Sequence, residues 1–108
     1  MSAPLISVII VCLNPGPRLH TALASVREQR GENFECVVID GASTDGSREW
    51  LETQRIRLGS LVSEPDHGVY DAMNKGVARA TGEWVIFLGA DDRLVTNDVL
   101  SCAEKMLR

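Results

Sequence analysis

The chain has 108 residues, enough for one small domain around a single hydrophobic core. Its 11 basic and 15 acidic side chains give a formal net charge of −4, and the basic residues are scattered, so no nucleic-acid partner is expected. Cys12, Cys36 and Cys102 have no paired spacing and two of them lie in apolar runs, which favours buried free thiols and a reducing, cytoplasmic location.

Four apolar runs rich in β-branched residues alternate with four helix-like segments. The predicted strands are residues 5–13, 34–39, 61–62 and 84–88. We expect the first to be covered on both faces of the sheet, and the second and the last to be buried strands as well. The first run is too short to cross a bilayer and no basic residue precedes it, so we interpret it as a core strand rather than a signal peptide. A peripheral association with a membrane stays open.

A helix is predicted after each strand. The helices are expected to begin at Pro17, at Asp45 or Ser47, at Val69 and at Thr96. The first should end near Arg30. The third is expected to bury one stripe of side chains, formed by Val69, Ala72, Met73, Val77 and Ala80.

The alternation of strands and helices predicts an α/β domain with three layers, in which helices cover both faces of a mainly parallel four-stranded sheet. Residues 1–108 form one such unit. Every loop that follows a strand then lies at the same edge of the sheet, where ligands bind in folds of this class. We expect Asp40 and the pair Asp91 and Asp92 to leave neighbouring strands and face one crevice.

The last apolar run ends in two adjacent acidic residues, Asp91 and Asp92. Because an unpaired buried carboxylate is costly, the pair must lie just beyond the strand end. Two hard oxygen ligands suit Mg²⁺ or Mn²⁺, which in turn binds phosphate, although a solvated turn explains the pair equally well. Asp40 ends another strand and can accept a hydrogen bond from a nucleobase, and Lys75 is the nearest cation for a phosphate.

Other chemistries lack their residues. The spacing of Gly41 and Gly46 suits a P-loop, but Ser47 and Arg48 follow and the lysine is missing. The dinucleotide fingerprint and a serine–histidine–aspartate set are absent from the sequence, and two histidines are too few for a zinc site built with these cysteines. The remaining residues favour a nucleoside diphosphate bound with a divalent cation.

Four segments in order resemble family 2 glycosyltransferases of the GT-A fold: residues 7–14, 38–47, 64–76 and 87–92. The resemblance implies that the chain is the nucleotide-sugar-binding, Rossmann-like half of that fold, truncated before the acceptor-binding half. It also implies a role for each matching residue. Asp40 would contact the base, Asn14 and Ser43 would line the base pocket, Asp66 and Lys75 would approach the ribose or diphosphate, Asp91 would bind ribose or metal, and Asp92 would bind metal.

The chain departs from the family pattern at three positions. Leu13 stands where many relatives have tyrosine, so the base loses an aromatic neighbour. Met73 replaces an arginine, which removes one expected phosphate contact, and Gly89 replaces an acid that some relatives carry.

The resemblance implies transfer of a sugar from a UDP-, GDP- or dTDP-linked donor to the hydroxyl of a glycan or lipid-linked acceptor, in polysaccharide or cell-surface glycan synthesis. The cation would be Mn²⁺ or Mg²⁺, and the anomeric centre would be inverted. The family's general base lies in the second half, so no catalytic base is assigned here and the chain alone is expected to be inactive. We also expect homo-oligomers through an exposed sheet edge.

Three alternatives carry weaker support. A sugar-nucleotide pyrophosphorylase would need a glycine-rich basic loop after the first strand, where residues 14–18 are a poor substitute. A receiver-like signalling domain would need its paired acids at the position of Asn14. A non-catalytic nucleotide-binding or assembly module of the same fold would differ from a transferase in lacking metal-dependent nucleotide binding.

Overall fold

A computed structural model describes residues 4–107 and confirms the predicted alternation of strands and helices. The strands are β1 (Ile6–Cys12), β2 (Phe34–Asp40), β3 (Ser60–Ser63) and β4 (Trp84–Gly89). The helices are α1 (Arg18–Arg27), α2 (Ser47–Gln54), α3 (Val69–Arg79) and α4 (Val99–Leu107), and a 3-10 turn (Arg55–Arg57) follows α2. Within residues 4–107, no helix is long and apolar enough to span a membrane.

All strands of the described sheet are parallel, in the order β3-β2-β1-β4. Cys12 of β1 pairs with Asp40 of β2, and Val11 of β1 pairs with Gly89 of β4, so the three strands end together. The loops that follow them therefore share one edge, as predicted. The expectation that Asp40 and the acidic pair leave neighbouring strands is wrong, because the connection through α3 places β4 on the far side of β1.

The sheet separates two apolar layers, which makes the three-layer architecture. On one face, α1, α2 and α4 pack against the first core, whose buried residues include Val8, Ile10, Val38, Leu51 and Leu100. On the other face, α3 packs against Ile9, Val37 and Ile39. Burial of both faces explains why β1 and β2 are nearly continuous apolar runs.

Helix α3 approaches the sheet through small residues. Ala72 and Gly76 are its buried positions, whereas Val69 and Val77 are 56% and 48% exposed, so the predicted stripe is rotated from the real one. A Cβ on Gly76 would lie 2.5 Å from Cγ2 of Ile9. The absence of a side chain there lets the helix lie close to β1, which a pattern of large apolar residues does not reveal.

Strand β4 is an edge strand with one covered face, and the prediction that it is a buried strand is wrong. Trp84, Val85 and Phe87 are between 40% and 49% exposed, while Leu88 is buried. In the pairing with β1, Val85 and Phe87 lie on the same face as Ile9, but α3 packs over β1 and β2 and does not cover them. Within residues 4–107, no strand pairs with the outer edge of β4, and three of its apolar side chains are exposed.

One helix end differs slightly from the prediction, whereas α2 begins at Ser47, one of the two predicted starts. Helix α1 ends at Arg27, before Arg30. At the start of α2, Gly46 occupies the N-cap position with φ 96°, and Oδ1 of Asp45 accepts a hydrogen bond from the amide of Ser47 at 3.0 Å. The capping oxygen therefore comes from the residue before the N-cap.

The three thiols should differ sharply in reactivity. Cys12 and Cys36 are buried and Cys102 is exposed, and none of them is in a disulfide. Burial raises the pKa of Cys36 to about 12, and burial, with the nearby Asp40 carboxylate, also raises the pKa of Cys12. Because the thiolate is the reactive form, we expect one thiol to react with an aromatic disulfide reagent at neutral pH and three after denaturation. Rapid reaction of all three in the native protein would contradict this.

Candidate functional site

Hydrogen bonds join the loops that follow β1 and β2. The amide of Asn14 donates to Oγ of Ser43 at 2.8 Å, and Oδ1 of Asn14 accepts from the amide of Thr44 at 2.7 Å. The amide of Gly16 donates to Oδ2 of Asp45 at 2.8 Å. The structure thus brings Asn14 and Ser43 into direct contact, as expected for residues that shape one pocket.

Asp40 lies at the centre of this arrangement and is completely buried. Its Oδ1 accepts hydrogen bonds from the Cys12 thiol at 3.4 Å and from Oγ of Ser43, and its Oδ2 accepts from the amide of Ser43 at 3.0 Å and from Oγ of Ser63 at 2.8 Å. An ionised carboxylate has about four lone-pair sites, so these donors occupy all of them. Contact between Asp40 and a base would require one donor to give way, and the thiol is the weakest of them.

Beside this cluster lies a pocket of about 290 Å³, at the carboxyl end of β1. It is lined by Val11, Cys12, Leu13, Asp66, Gly68, Val69 and Ala72. Oδ1 of Asp66 accepts from the amide of Gly68 at 3.1 Å, and its Oδ2 lies 2.9 Å from the point where a Cβ on Gly41 would stand. Among residues 4–107 nothing donates to that second oxygen, so Asp66 is the acidic side chain that this pocket presents to a ligand.

Lys75 is engaged within the loop that precedes α3. Its ammonium group lies 3.1 Å from Oε1 of Glu64 and 3.7 Å from Oδ2 of Asp71, and it donates to the carbonyl of Pro65 at 3.0 Å. Asp71 also accepts from the amide of His67, and this bond, with the nearby Lys75, lowers the pKa of Asp71. Lys75 therefore orders the loop that carries Asp66, and a phosphate would have to compete with these partners.

Asp91 and Asp92 present their carboxylates to solvent. Each is exposed, and no described residue donates a hydrogen bond to either side chain, although the amide of Asp92 closes a turn onto the carbonyl of Gly89 at 3.0 Å. The point where a Cβ on Gly89 would stand lies 2.7 Å from Oδ2 of Asp92 and 3.1 Å from Oδ1 of Asp91. The two carboxylates thus converge over a glycine that leaves room for them.

Two converging carboxylates fit a divalent cation. Within residues 4–107, no third histidine, cysteine or acidic side chain joins them to form a metal-binding group. Mg²⁺ and similar cations are commonly held by one or two carboxylates, with phosphate oxygens and water completing the shell. The residues present therefore fit a cation that arrives with a phosphate ligand, rather than a cation enclosed by protein.

The predicted site residues fall into two groups at one sheet edge. Asn14, Asp40 and Ser43 are hydrogen-bonded together, with Asp66 near them, whereas Asp91 and Asp92 lie across β1. Sequence reasoning missed Cys12 and Ser63 as partners of Asp40. Both end strands at the same edge as Asp40, so their positions in the predicted strands were the available clue.

Comparisons with known proteins agree with this geometry. The sequence model of the family described as Glycosyl transferase family 2 matches residues 7–108. A PGL/p-HBAD biosynthesis glycosyltransferase of Mycobacterium bovis (strain BCG / Pasteur 1173P2) is 43% identical over 104 residues, which cover 94% of this chain and 41% of that protein. The putative teichuronic acid biosynthesis glycosyltransferase TuaG of Bacillus subtilis (strain 168) is 34% identical, with 83% and 37% covered.

Two of the solved structures with a similar fold show how closely this chain resembles them. S. aureus TarS 1–349 in complex with UDP-GlcNAc superimposes with a TM-score of 0.84 at 27% identity, covering 95% of this chain and 31% of that one. The mannosyltransferase PcManGT from Pyrobaculum calidifontis, in complex with GDP-Man and Mn²⁺, gives 0.81 at 34% identity, with 99% and 33% covered.

The chain spans about two fifths of the length of the curated relatives that it matches most fully. The family model spans residues 7–108, a range that includes the ends of β1, β2 and β4. The resemblance inferred from the motifs is confirmed, and the chain belongs to glycosyl transferase family 2.

Proposed function

We propose that this chain binds the donor for a glycosyltransferase, which moves a sugar from a nucleoside diphosphate to an acceptor hydroxyl in the synthesis of cell-surface glycans. The observation that carries the proposal is the pair of unengaged carboxylates over Gly89, at the same sheet edge as a pocket walled by Asp66. Relatives named for PGL/p-HBAD and teichuronic acid biosynthesis, and neighbours that bind UDP-GlcNAc or GDP-Man, support the substrate class.

We assign the base of the donor to the pocket of about 290 Å³ beside β1. Leu13, which is 61% exposed at its wall, would cover one face of the base, and the free oxygen of Asp66 would accept a hydrogen bond from the base or the ribose. Asn14, Ser43 and Asp40 would shape this pocket from below through their shared hydrogen bonds. The donor then runs from this pocket across the end of β1 toward β4.

We assign the diphosphate to the region of Asp91 and Asp92, with Asp92 binding the cation and Asp91 binding the cation or the ribose. A bound Mn²⁺ or Mg²⁺ would neutralise the charge that develops on the diphosphate leaving group. The two carboxylates would hold that cation, and Lys75 orders the loop that carries Asp66 through its ion pair with Glu64. We propose that the acceptor displaces the diphosphate directly, which inverts the anomeric centre.

Direct displacement requires a base that deprotonates the acceptor. Glu64 and Asp71 are paired with Lys75, and Asp66 belongs to the base pocket, so none of these acids is free to serve. We propose that the general base is supplied from outside residues 1–108, and that this chain alone binds donor without transferring its sugar. A cytoplasmic location is supported by the three free thiols, with contact to a membrane surface where the acceptor is lipid-linked.

Calorimetry tests the proposal directly. UDP, GDP and dTDP are titrated into the chain with Mn²⁺ and again with EDTA, and the corresponding nucleosides serve as controls that lack the diphosphate. We expect one diphosphate to bind clearly more tightly with Mn²⁺, and its nucleoside to show no metal dependence. Absence of binding by all three diphosphates under both conditions would overturn the proposal, and metal-independent binding would favour a non-catalytic module.

A methyl group on Gly89 should disturb the cation site selectively. In Gly89→Ala, the new Cβ would lie 2.7 Å from Oδ2 of Asp92 and 3.1 Å from Oδ1 of Asp91, so the Asp92 carboxylate must move and the Asp91 carboxylate must shift slightly. We expect the Mn²⁺-dependent part of nucleotide affinity to fall about tenfold, the effect of disturbing an outer-shell partner of a metal. Thermal melting should stay close to wild type because both side chains are exposed. Unchanged Mn²⁺ dependence would show that the carboxylates do not act from this position.

We also propose that the free edge of β4 joins copies of the chain. Exposed edges with apolar side chains pair readily, and Phe87 is 43% exposed on the uncovered face. Light scattering should show concentration-dependent dimers in the wild type, and Phe87→Lys should restore the monomer. Val95→Lys, at an exposed position outside the sheet, is the control and should still dimerise. A wild-type monomer at every concentration would contradict this.

A further inference from the structure

Two buried polar side chains, one in α1 and one just after its end, hold the segment that follows the acidic pair. Ser25 of α1 is 8% exposed, and Gln29, two residues beyond the last residue of the helix, is 6% exposed. Oγ of Ser25 accepts a hydrogen bond from the amide of Leu94 at 3.0 Å and donates to the carbonyl of Ala22 at 2.7 Å. Its hydroxyl therefore connects α1 to the chain just beyond Asp92.

Gln29 extends this connection along the same segment. Its Nε2 donates to the carbonyl of Ser25 at 3.1 Å and to the carbonyl of Thr96, and its Oε1 accepts from the amide of Leu100 at 2.9 Å. The amide group thus satisfies the carbonyl of Thr96, in a stretch without regular structure, and an amide in the first turn of α4 that has no partner within its own helix.

The acidic pair lies between two fixed points. On one side, Gly89 ends β4 and pairs with Val11 of β1. On the other side, Leu94 is bonded to Ser25, so only residues 90–93 span the gap. Leu94 packs partly against the first core, but a cleft of about 410 Å³ lies between α1 and residues 93–97, so the hydrogen bonds to Ser25 and Gln29 add a second restraint on this segment.

We propose that Ser25, supported by Gln29, is a positioning residue for the cation site formed by Asp91 and Asp92. The proposal rests on the proposed function, since it concerns the same cation. The hydroxyl of Ser25 sets where Leu94 lies, and the short span from Gly89 to Leu94 then fixes the direction of both carboxylates. Removing an outer-shell contact of this kind lowers metal affinity by about 10–100-fold in other metal sites.

Ser25→Thr and Ser25→Val form a matched pair, because threonine and valine have nearly the same shape and differ in the hydroxyl. Each variant is titrated with Mn²⁺ in the presence of UDP, or of whichever nucleoside diphosphate binds the wild type, and the electron paramagnetic resonance spectrum of bound Mn²⁺ is recorded. Nucleotide affinity in EDTA and the melting temperature are measured in parallel. Gln29→Met, which keeps the length of the side chain and loses its hydrogen bonds, repeats the test if Ser25→Val does not fold.

We expect the valine variant to bind Mn²⁺ about tenfold more weakly than the threonine variant, with a broadened spectrum and little change of nucleotide affinity in EDTA. Equal Mn²⁺ affinity and equal spectra in the two variants would overturn the inference, as would a valine variant that loses metal-free nucleotide affinity to the same extent. A wild-type chain without Mn²⁺-dependent binding would instead overturn the proposed function, so the two failures are distinguishable.

Discussion

Replacing Asp40 with alanine is expected to lower the free energy of unfolding by about 3 kcal/mol, because buried donors lose their acceptor. The carboxylate of Asp40 accepts from Cys12, from Ser43 and from Ser63, which belong to β1, to the turn after β2 and to β3. Its loss therefore loosens three loops together. Urea denaturation measures the change. The m-value, which is the slope of the unfolding free energy against urea concentration, should be the same in the variant and the wild type.

Asp40→Asn provides a graded control. The amide keeps the shape and one accepting oxygen. With its nitrogen in the place of Oδ1, the Ser43 hydroxyl can rotate to accept from it, while the oxygen in the place of Oδ2 still accepts from the amide of Ser43 and the hydroxyl of Ser63, so we expect about half the loss seen in alanine. If Asp40 organises the pocket, UDP, GDP and dTDP should all weaken together in both variants. A loss confined to one base would show that Asp40 contacts the base directly, and alanine at wild-type stability would refute the buried network.

The architecture was predictable because local pattern and tertiary role agree in most of it. Strands β1 and β2 are buried on both faces, and their continuous apolar runs are typical of central strands in a parallel sheet. The prediction failed for β4, which is apolar yet lies at an edge. Hydrophobicity indicates that a surface needs cover and does not specify which part of the chain covers it.

Helix α3 shows a second limit of pattern reading. Its large apolar residues, Val69 and Val77, suggested the inner face, but the buried positions are Ala72 and Gly76. The close approach of α3 to Ile9 requires the smallest residues at the contact. A search for a hydrophobic stripe favours large apolar residues and therefore overlooks them. The rotation of the helix was therefore set by the space available and not by apolar content.

The sequence predicted the sheet edge at which the candidate site residues lie. It did not predict most of the hydrogen bonds and ion pairs that these residues make. Asp66 lines the pocket beside β1, and Asn14 and Ser43 are hydrogen-bonded to each other at the same sheet edge, although neither of them lines that pocket. The engagement of Asp40 and of Lys75 depends on partners from other strands and loops, which no single motif contains. Residues such as Ser25 leave only a polar interruption in a helix stripe as a clue.

Replacing both Asp91 and Asp92 with asparagine should remove the Mn²⁺-dependent part of nucleotide affinity. Removing an outer-shell partner lowers the affinity of a site for its metal by about 10–100-fold. Because these oxygens would bind the cation directly, we expect nucleotide affinity in Mn²⁺ to fall by at least as much. Stability should stay within about 0.5 kcal/mol of wild type, because both side chains are exposed and accept no hydrogen bond within residues 4–107. Calorimetry with Mn²⁺ and with EDTA measures the two affinities.

The single variants separate the two carboxylates. Asp92→Asn should weaken binding in Mn²⁺ and leave binding in EDTA unchanged, whereas Asp91→Asn should weaken both if its carboxylate also contacts the ribose. Asp98→Asn removes another exposed charge seven residues after Asp91 and controls for net charge. Within residues 4–107, the Asp98 carboxylate accepts a hydrogen bond from the Thr96 hydroxyl and from no other group. Because the carboxylates converge over Gly89, a cation can contact both at once, so the losses should be less than additive. Strict additivity, or an equal loss in Asp98→Asn, would mean that the pair acts only as a diffuse negative charge.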